Sequence, residues 1–504
     1  MADTAVTTRL SQNEASEERP VAGVAPPAAE SAWGSVFTLS NTAIGVGVLA
    51  FPYAFRLTGL LGGLLLCLVV ATLEHFTLQT LVRAAAHYRV TSYQAVVERS
   101  FGPAAGQAGA LLLSASIVVY LFGSLAAYLI LLGDVFPRLL GEVVPTESIW
   151  TERWVSVLVP SLLTVLPLCV TRSLGALSSV SSLSVVALAY TTFAICFRSI
   201  QHVSQHEAGE AMPLFVFTSE SVLALPMMAF AFQCHVTVVQ IFVELEPSPS
   251  FLRCSPKAIS EHSNTDAEEP LLIPAPSSAL FTSPARLIGM RGVVTTSMAA
   301  CVLGYVMVGA SGYAAYPNDV ASNVLNSFDD SDPMLQVARL LMGVNGIVSY
   351  PVNLFPCRQA LDHLLVTVLG WSADARGVSE RHLPLTAALF GGSLAVALVV
   401  TDLGAVFQLV GGTAGAAIMF IVPGLVAMQL ARHSSASGVS APDCDVQQRH
   451  HLLGDSSALY DSSSGVVQLS LPAVLRMLPG AFVMLAGGLL LVTTVLQNTV
   501  MKGA

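Results

Sequence analysis

Apolar residues along the chain are collected in long runs that are separated by shorter polar segments. Each run is long enough for a helix to cross roughly 30 Å of hydrocarbon. The pattern therefore predicts an all-α membrane protein with about eleven transmembrane helices. We refer to them as spans 1 to 11, at residues 33–55, 59–84, 106–133, 154–172, 175–197, 218–243, 289–316, 333–358, 384–402, 404–430 and 472–496.

The composition supports a chain that meets lipid over most of its surface. Of its 504 residues, 54% are hydrophobic and 11% are charged, whereas soluble domains carry about 25% charged residues. The net charge of −10 says little about partners, because the acidic residues lie mainly in the tail and loops. The sequence has no basic run or stripe, so we expect the lipid bilayer, and not nucleic acid, as a partner.

Three polar segments frame the membrane domain, which we place at residues 33–497. The tail at 1–32 and the loops at 244–286 and 433–470 are rich in Ser, Pro or charged residues, and we expect them to be disordered. Most of the 22 Lys and Arg residues fall on the same side of the eleven spans as the tail. The positive-inside rule therefore predicts a cytosolic N-terminus.

Span 1 carries a polar stripe that ends at two closely spaced glycines. Thr38, Asn41, Thr42 and Gly45 recur at helical spacing, and Gly47 follows. The glycines weaken the helix in mid-membrane, where freed backbone groups must be satisfied by protein, water or a ligand. Transporters use such a broken helix to bind ions and carboxylates. Close helix packing through small residues is the alternative explanation.

Spans 6 and 2 contain polar groups within apolar runs. Gln233, His235 and Thr237 interrupt span 6, and Glu74 is a carboxyl group inside span 2. An ionisable residue inside a membrane is a functional candidate, so Glu74 and His235 are candidates for a proton relay. A structural, hydrogen-bonded role would explain either residue equally well.

Span 8 places three polar residues on one helical face. Asn345, Ser349 and Asn353 follow one another at intervals of four residues. Neutral oxygens of this kind, together with carbonyls of span 1, could hold a hard cation such as Na⁺. Hydrogen bonds between neighbouring helices are the alternative.

Several of these segments resemble a known family. The sequence NTAIGVGVL at 41–49, followed by FPYAF at 51–55, is similar to the first helix of the amino acid/auxin permease family. The segments FQCH at 232–235 and PVNLFPCR at 351–358 resemble its sodium-coupled neutral amino acid transporter branch, in particular the lysosomal or vacuolar glutamine-type members. Related sixth helices often have Gly where this chain has Ala231, so we expect a less open break there.

The resemblance implies a LeuT-like fold. It consists of five-plus-five inverted repeats, at about 33–197 and 218–430, with an extra helix at 472–496. Spans 1 and 6 would then be equivalent discontinuous helices that flank a site at the middle of the membrane. The family also implies secondary-active transport by alternating access, with neutral L-amino acids such as glutamine as substrates. The coupling ion would be Na⁺ or H⁺, and we favour Na⁺.

The resemblance also suggests site residues. In the family, the residue that matches Asn41 and a hydroxyl residue of span 8, here Ser349, contribute to the sodium site. We add Ile44 and Asn345 to these expected Na⁺ ligands. The unwound part of span 1 would bind the α-carboxylate and amino group of the substrate. The expected substrate-binding residues are Thr42, Ile44, Gly45, Val46, Gly47, Val48, Phe232 and His235.

Other functions remain open at this point. A proton-coupled vacuolar exporter would have the same fold, and an amino-acid sensor could signal through the tail and loops. The sequence has none of the motifs of hydrolases, zinc proteases or P-loop proteins, so we expect neither an enzyme nor a resident cofactor. We expect a monomer, in a lysosomal, vacuolar or plasma membrane.

Overall fold

The fold is described from a computed structural model, which covers residues 31–141, 144–145, 148–170, 178–205, 212–245, 284–372, 374–436 and 471–500. Helices form almost all of the regular structure in these ranges. They are α1 (Ala32–Ala43), α2 (Phe51–Thr58), α3 (Leu60–Tyr88), α4 (Tyr93–Phe101), α5 (Pro103–Leu140), α6 (Arg153–Pro160), α7 (Leu166–Val170), α8 (Ser178–Gln205), α9 (Ala224–Phe232), α10 (His235–Glu244), α11 (Pro284–Ala315), α12 (Pro333–Leu369), α13 (Ala375–Val399), α14 (Leu403–Val410), α15 (Val422–Ala436) and α16 (Leu471–Val500).

These helices account for the predicted number of membrane crossings. Ten helical stretches in the described ranges are long and apolar enough to cross a membrane. The bent pair of α1 and Val46–Thr58 makes an eleventh crossing. The prediction of an all-α, multi-pass protein with about eleven spans is therefore confirmed. Most residues of the tail and of the two long loops, where we expected disorder, lie outside the described ranges.

Several helices are longer than the apolar runs that predicted them. Span 3 corresponds to α5, which continues to Leu140, and span 8 corresponds to α12, which continues to Leu369. Backbone hydrogen bonds can extend a helix beyond the hydrocarbon, where hydropathy no longer marks its end. Polar side chains instead mark where helices begin: Asp332 accepts hydrogen bonds from the first turn of α12, and Asp402 does so for α14.

The helix packing places two broken spans at the centre of the molecule. The long helices α5 and α12 lie side by side and make the most extensive helix pair. Helix α11 packs against α1, α2, α3 and α8, while α9 lies between α2 and α14. Spans 1 and 6 are the broken ones, and they are five spans apart, as a repeat of five helices predicts. The boundaries of the two repeats stay a prediction.

Candidate functional site

The first break lies between α1 and α2. Helix α1 ends at Ala43, and Ile44 leaves the helical conformation with φ −81° and ψ 80°. Gly45 is the residue before a short 3₁₀ turn, Val46–Ala50, that leads into α2. The two parts of span 1 are bent by 48° relative to each other. The sequence prediction of a break at the paired glycines therefore agrees with the structure.

The second break lies between α9 and α10, two residues beyond Ala231. Gln233 is extended, with ψ 116°, and Cys234 has φ −140° and ψ 15°. Helix α10 then begins at His235, and the Thr237 hydroxyl donates to the Cys234 carbonyl oxygen at 3.1 Å. Span 6 is therefore discontinuous although it has Ala231, and not Gly, before the break.

Tyrosine hydroxyl groups satisfy carbonyl oxygens that the breaks leave free. Tyr305 Oη lies 2.9 Å from the Ala43 oxygen and 2.7 Å from the Ala231 oxygen, so it contacts both breaks. Tyr120 of α5 donates to the Phe230 carbonyl oxygen at 2.7 Å. Because the surrounding hydrocarbon offers no hydrogen-bond partner, such donors make a broken helix tolerable in a membrane.

The two breaks are in direct contact at Gly47 and Ala231. A Cβ atom added to Gly47 would lie 2.7 Å from the Ala231 Cβ. Carbon atoms do not approach so closely without displacement, since their optimal separation is about 3.5–4.0 Å. The close approach of the two backbones therefore requires glycine at position 47.

A cavity of about 110 Å³ lies between the breaks, α5 and α12. Its lining residues carry no charged side chain: amides, hydroxyls, main-chain groups and apolar side chains surround it. The lining residues are Asn41, Thr42, Ala43, Gly45, Val46, Gly47, Tyr120, Leu121, Ser124, Tyr128, Ser184, Phe230, Ala231, Gln233, Val236, Thr237, Val348, Ser349, Val352, Asn353 and Pro356. A small polar molecule of zero net charge fits this environment, because a buried net charge needs an opposite charge.

The polar face of α12 forms one wall of the cavity. Ser349 Oγ donates to Asn345 Oδ1 at 3.2 Å, and the Asn353 amide donates to the Ser349 carbonyl oxygen at 3.0 Å. Asn353 also lies 3.4 Å from the Tyr128 hydroxyl of α5. The three residues therefore share one face as their spacing predicts, although Asn345 lies behind the cavity wall.

The structure brings half of the sequence-predicted site residues to the cavity. Six of them line it: Asn41, Thr42, Gly45, Val46, Gly47 and Ser349. Six others are not among the lining residues: Ile44, Val48, Phe232, His235, Asn345 and Glu74. Phe232 is fully buried against Phe51 and Tyr305. His235 and Glu74 face each other on the far side of the second break.

Three cavity residues of span 3 were missed by the sequence analysis. Tyr120, Ser124 and Tyr128 recur every fourth residue and present one polar face of α5 to the cavity. Their spacing would have revealed them, but tyrosine contributes to an apolar run in a hydropathy pattern.

Arginine residues bind the loop before α12 to neighbouring helices, on the side opposite the predicted cytosolic face. Arg153 pairs with Asp134 of α5 at 2.6 Å, and Asn323 donates to the same carboxylate at 3.0 Å. Arg339, which is fully buried, donates to the Leu325 and Phe328 carbonyl oxygens. Together these contacts attach the loop before α12 to α5 and to α12 itself.

Comparison with known proteins places the fold and the cavity in a functional context. The family model described as transmembrane amino acid transporter protein matches residues 28–260 and 280–443, which is most of the chain. The chain belongs to this family. It is therefore an amino acid transporter, a multi-pass membrane protein and not an enzyme, and the sequence-based assignment to the amino acid/auxin permeases is confirmed.

Individual relatives are similar over most of their length. Sodium-coupled neutral amino acid transporter 7 of Danio rerio is 27% identical over 409 residues, which cover 79% of each chain. The Xenopus laevis protein of the same name is 28% identical over 82% of this transporter and 83% of the relative. Vacuolar amino acid transporter 2 of Saccharomyces cerevisiae is 25% identical, over 76% of this chain and 73% of its own.

Proposed function

We propose that this transporter moves neutral L-amino acids such as glutamine, coupled to Na⁺, by alternating access. The observation that carries the proposal is the cavity between the two helix breaks, whose lining combines polar and apolar groups and contains no charged side chain. Main-chain groups of a broken helix can bind the α-carboxylate and ammonium of any amino acid. A charged substrate side chain would in addition need an opposite charge, and the lining residues provide none.

The proposal for Na⁺ rests on neutral oxygen atoms beside the first break. The Asn41 and Ser349 side chains both line the cavity, from α1 and α12. Sodium in transporters of broken-helix type is held by such oxygens and by carbonyls of the unwound segment. Ile44 and Asn345 stay proposed ligands, although neither is a lining residue. The names of the two sodium-coupled relatives support this choice of ion.

Uptake of labelled L-glutamine into proteoliposomes tests this function. The full-length protein should give saturable uptake that an inward Na⁺ gradient accelerates and that replacement of Na⁺ by K⁺ abolishes. L-alanine should compete with glutamine, whereas L-glutamate and L-lysine should not. Saturable glutamine flux that depends on neither the Na⁺ gradient nor the pH gradient would contradict coupled transport.

A second candidate function is proton-coupled export from a vacuole or lysosome. It is favoured by the buried carboxyl group of Glu74 and by the similarity to a vacuolar transporter. The same vesicles distinguish it, because a pH gradient alone would then drive glutamine flux without Na⁺. The segments through which an amino-acid sensor could signal, the tail and the long loops, lie largely outside the described residues.

A further inference from the structure

A carboxyl group and an imidazole meet behind the second helix break, on the side away from the cavity. Glu74 of α3 and His235 of α10 are both fully buried, and Glu74 Oε2 lies 3.3 Å from His235 Nδ1. Gln233 and Val236, which precede and follow His235 in the sequence, line the cavity, whereas His235 does not. The imidazole therefore extends from the break toward α3.

Thr77 determines which imidazole nitrogen carries a proton. Its hydroxyl donates to the Glu74 carbonyl oxygen at 2.9 Å, and its Oγ1 lies 2.8 Å from His235 Nε2. Because the single hydroxyl proton is used, Oγ1 accepts a hydrogen bond and Nε2 is the donor. Nδ1 of a neutral imidazole is then an acceptor that faces the Glu74 carboxyl group. A further proton must lie between these two groups, since two acceptors at 3.3 Å repel each other.

The side chains on which Glu74 acts electrostatically do not supply a positive charge. They are Tyr93, Tyr120 and Cys234. Both tyrosine hydroxyls donate to main-chain carbonyl oxygens, at 2.8 and 2.7 Å, and all three side chains are uncharged when protonated. A lone carboxylate at this place would be a buried charge without compensation, which a low dielectric strongly disfavours.

The other charged groups of this part of α3 lie around the neighbouring His75. Its Nε2 is 3.0 Å from Thr295 Oγ1 of α11, and Arg83 and Arg291 are the charges that act on it. Within the described residues, His235 is the single ion-pair partner of Glu74. A proton held by the Glu74 carboxyl group thus leaves both groups uncharged, which a fully buried site favours over a pair of opposite charges.

We propose that Glu74 and His235 form a proton-binding site that holds the second helix break in place, so that transport depends on one proton at this contact. This inference rests on the proposed amino acid transport and adds a second ion to it. The proton comes from water and returns to water, and no other bond forms or breaks.

Loss of the proton would change the cavity through the backbone. The carboxylate would repel Nδ1, and the start of α10 would move away from α3. Gln233 and Thr237 belong to the same short segment and line the cavity, so their positions would shift with His235. The proton site therefore controls the shape of the substrate site without contacting the substrate.

The pH profile of glutamine uptake tests this inference, with full-length protein in proteoliposomes under a fixed Na⁺ gradient, from about pH 5 to pH 8. Wild-type uptake should fall as the pH rises, by about tenfold per pH unit beyond the midpoint. Glu74→Gln should retain uptake and lose this dependence, because its amide donates to Nδ1 at every pH. His75→Gln is the matched control and should keep the wild-type profile. An unchanged profile in Glu74→Gln would overturn the inference.

Infrared difference spectra recorded between low and high pH give a readout that needs no transport. Wild-type protein should show a protonated carboxyl band that disappears at high pH and is absent from Glu74→Gln. Wild-type spectra without such a band would overturn the proton site, even if uptake were normal. Retention of the band in a protein that does not transport glutamine would instead contradict the proposed function alone. If Glu74→Gln does not fold, Glu74→Asp should shift the midpoint of the pH profile, and an unchanged midpoint would overturn the inference.

Discussion

Gly47 and Ala231 bring the two broken spans into backbone contact, with room for only one methyl group between them. Gly47→Ala should therefore strain the site by about 1–3 kcal/mol and lower glutamine uptake at least roughly tenfold. Combining it with Ala231→Gly should restore part of the uptake, because the second change removes the methyl contact at 2.7 Å and leaves the Cα atom of residue 231 at 3.0 Å. Gly304→Ala on α11 is the control, since a Cβ there meets no atom within 4 Å. Equal uptake by the single and double variants would contradict this prediction.

Asn41 and Ser349 face the cavity from α1 and α12, and each should affect the ion more than the amino acid. We expect Asn41→Ala to raise the Na⁺ concentration for half-maximal uptake by about tenfold or more, since hydrogen bonds and ligands to charged groups contribute about 1.5–3 kcal/mol. Ser349→Ala should act in the same direction. The measurement is uptake at a series of Na⁺ concentrations. Ser116→Ala, on an outward-facing part of α5, should leave the curve unchanged, and a wild-type curve in Asn41→Ala would remove Asn41 from the ion site.

Gln233 has an amide that is buried beside the cavity, and its Nε2 has no hydrogen-bond partner among the described residues. This amide can donate to the side-chain carbonyl of glutamine. We expect Gln233→Leu to raise the KM for L-glutamine about tenfold, which corresponds to the loss of one hydrogen bond to a buried group. The KM for L-alanine, which has no such carbonyl, should change much less. Equal increases in KM for both amino acids would show that Gln233 does not bind the side chain of the substrate.

Asp134 is almost fully buried, and it joins Arg153 and Asn323 on the face opposite the predicted cytosolic side. Asp134→Ala should destabilise the protein by about 1–2 kcal/mol, a value reduced because Arg153 is partly exposed. A thiol-reactive dye can follow thermal unfolding, since buried free cysteines become accessible when the helices separate. Glu380→Gln is the control, because its pair with Arg376 is exposed and should contribute little. Identical unfolding temperatures for Asp134→Ala and wild type would contradict this assignment.

Much of this architecture could be predicted from the periodicity of the sequence. The eleven spans follow from apolar runs, the break in span 1 from Gly45 and Gly47, and the shared face of Asn345, Ser349 and Asn353 from a four-residue spacing. Each of these features is local, so a short stretch of sequence contains the information.

The remaining features depend on contacts between distant segments. The rotation of α10 relative to the break is set by the backbone angles of Gln233 and Cys234, and this rotation turns His235 away from the cavity. No local pattern indicates that Glu74, from span 2, lies opposite His235, or that Ala231 fills the space beside Gly47. The ends of α5 and α12 were also not predicted, because charged residues interrupt both apolar runs before the helices end: Asp134 and Arg138 in α5, and Arg358 and Asp362 in α12.

The hydroxyl group of Tyr305 carries one proton but faces two acceptors, the carbonyl oxygens of Ala43 and Ala231. Spans 1 and 6 therefore compete for the same donor. A substrate ammonium that donated to one carbonyl oxygen would leave the hydroxyl free to donate to the other alone. The hydrogen bond at the other break would then become stronger. Occupancy at one broken helix would then be communicated to its counterpart by the rotation of a single O–H bond, before any helix moved.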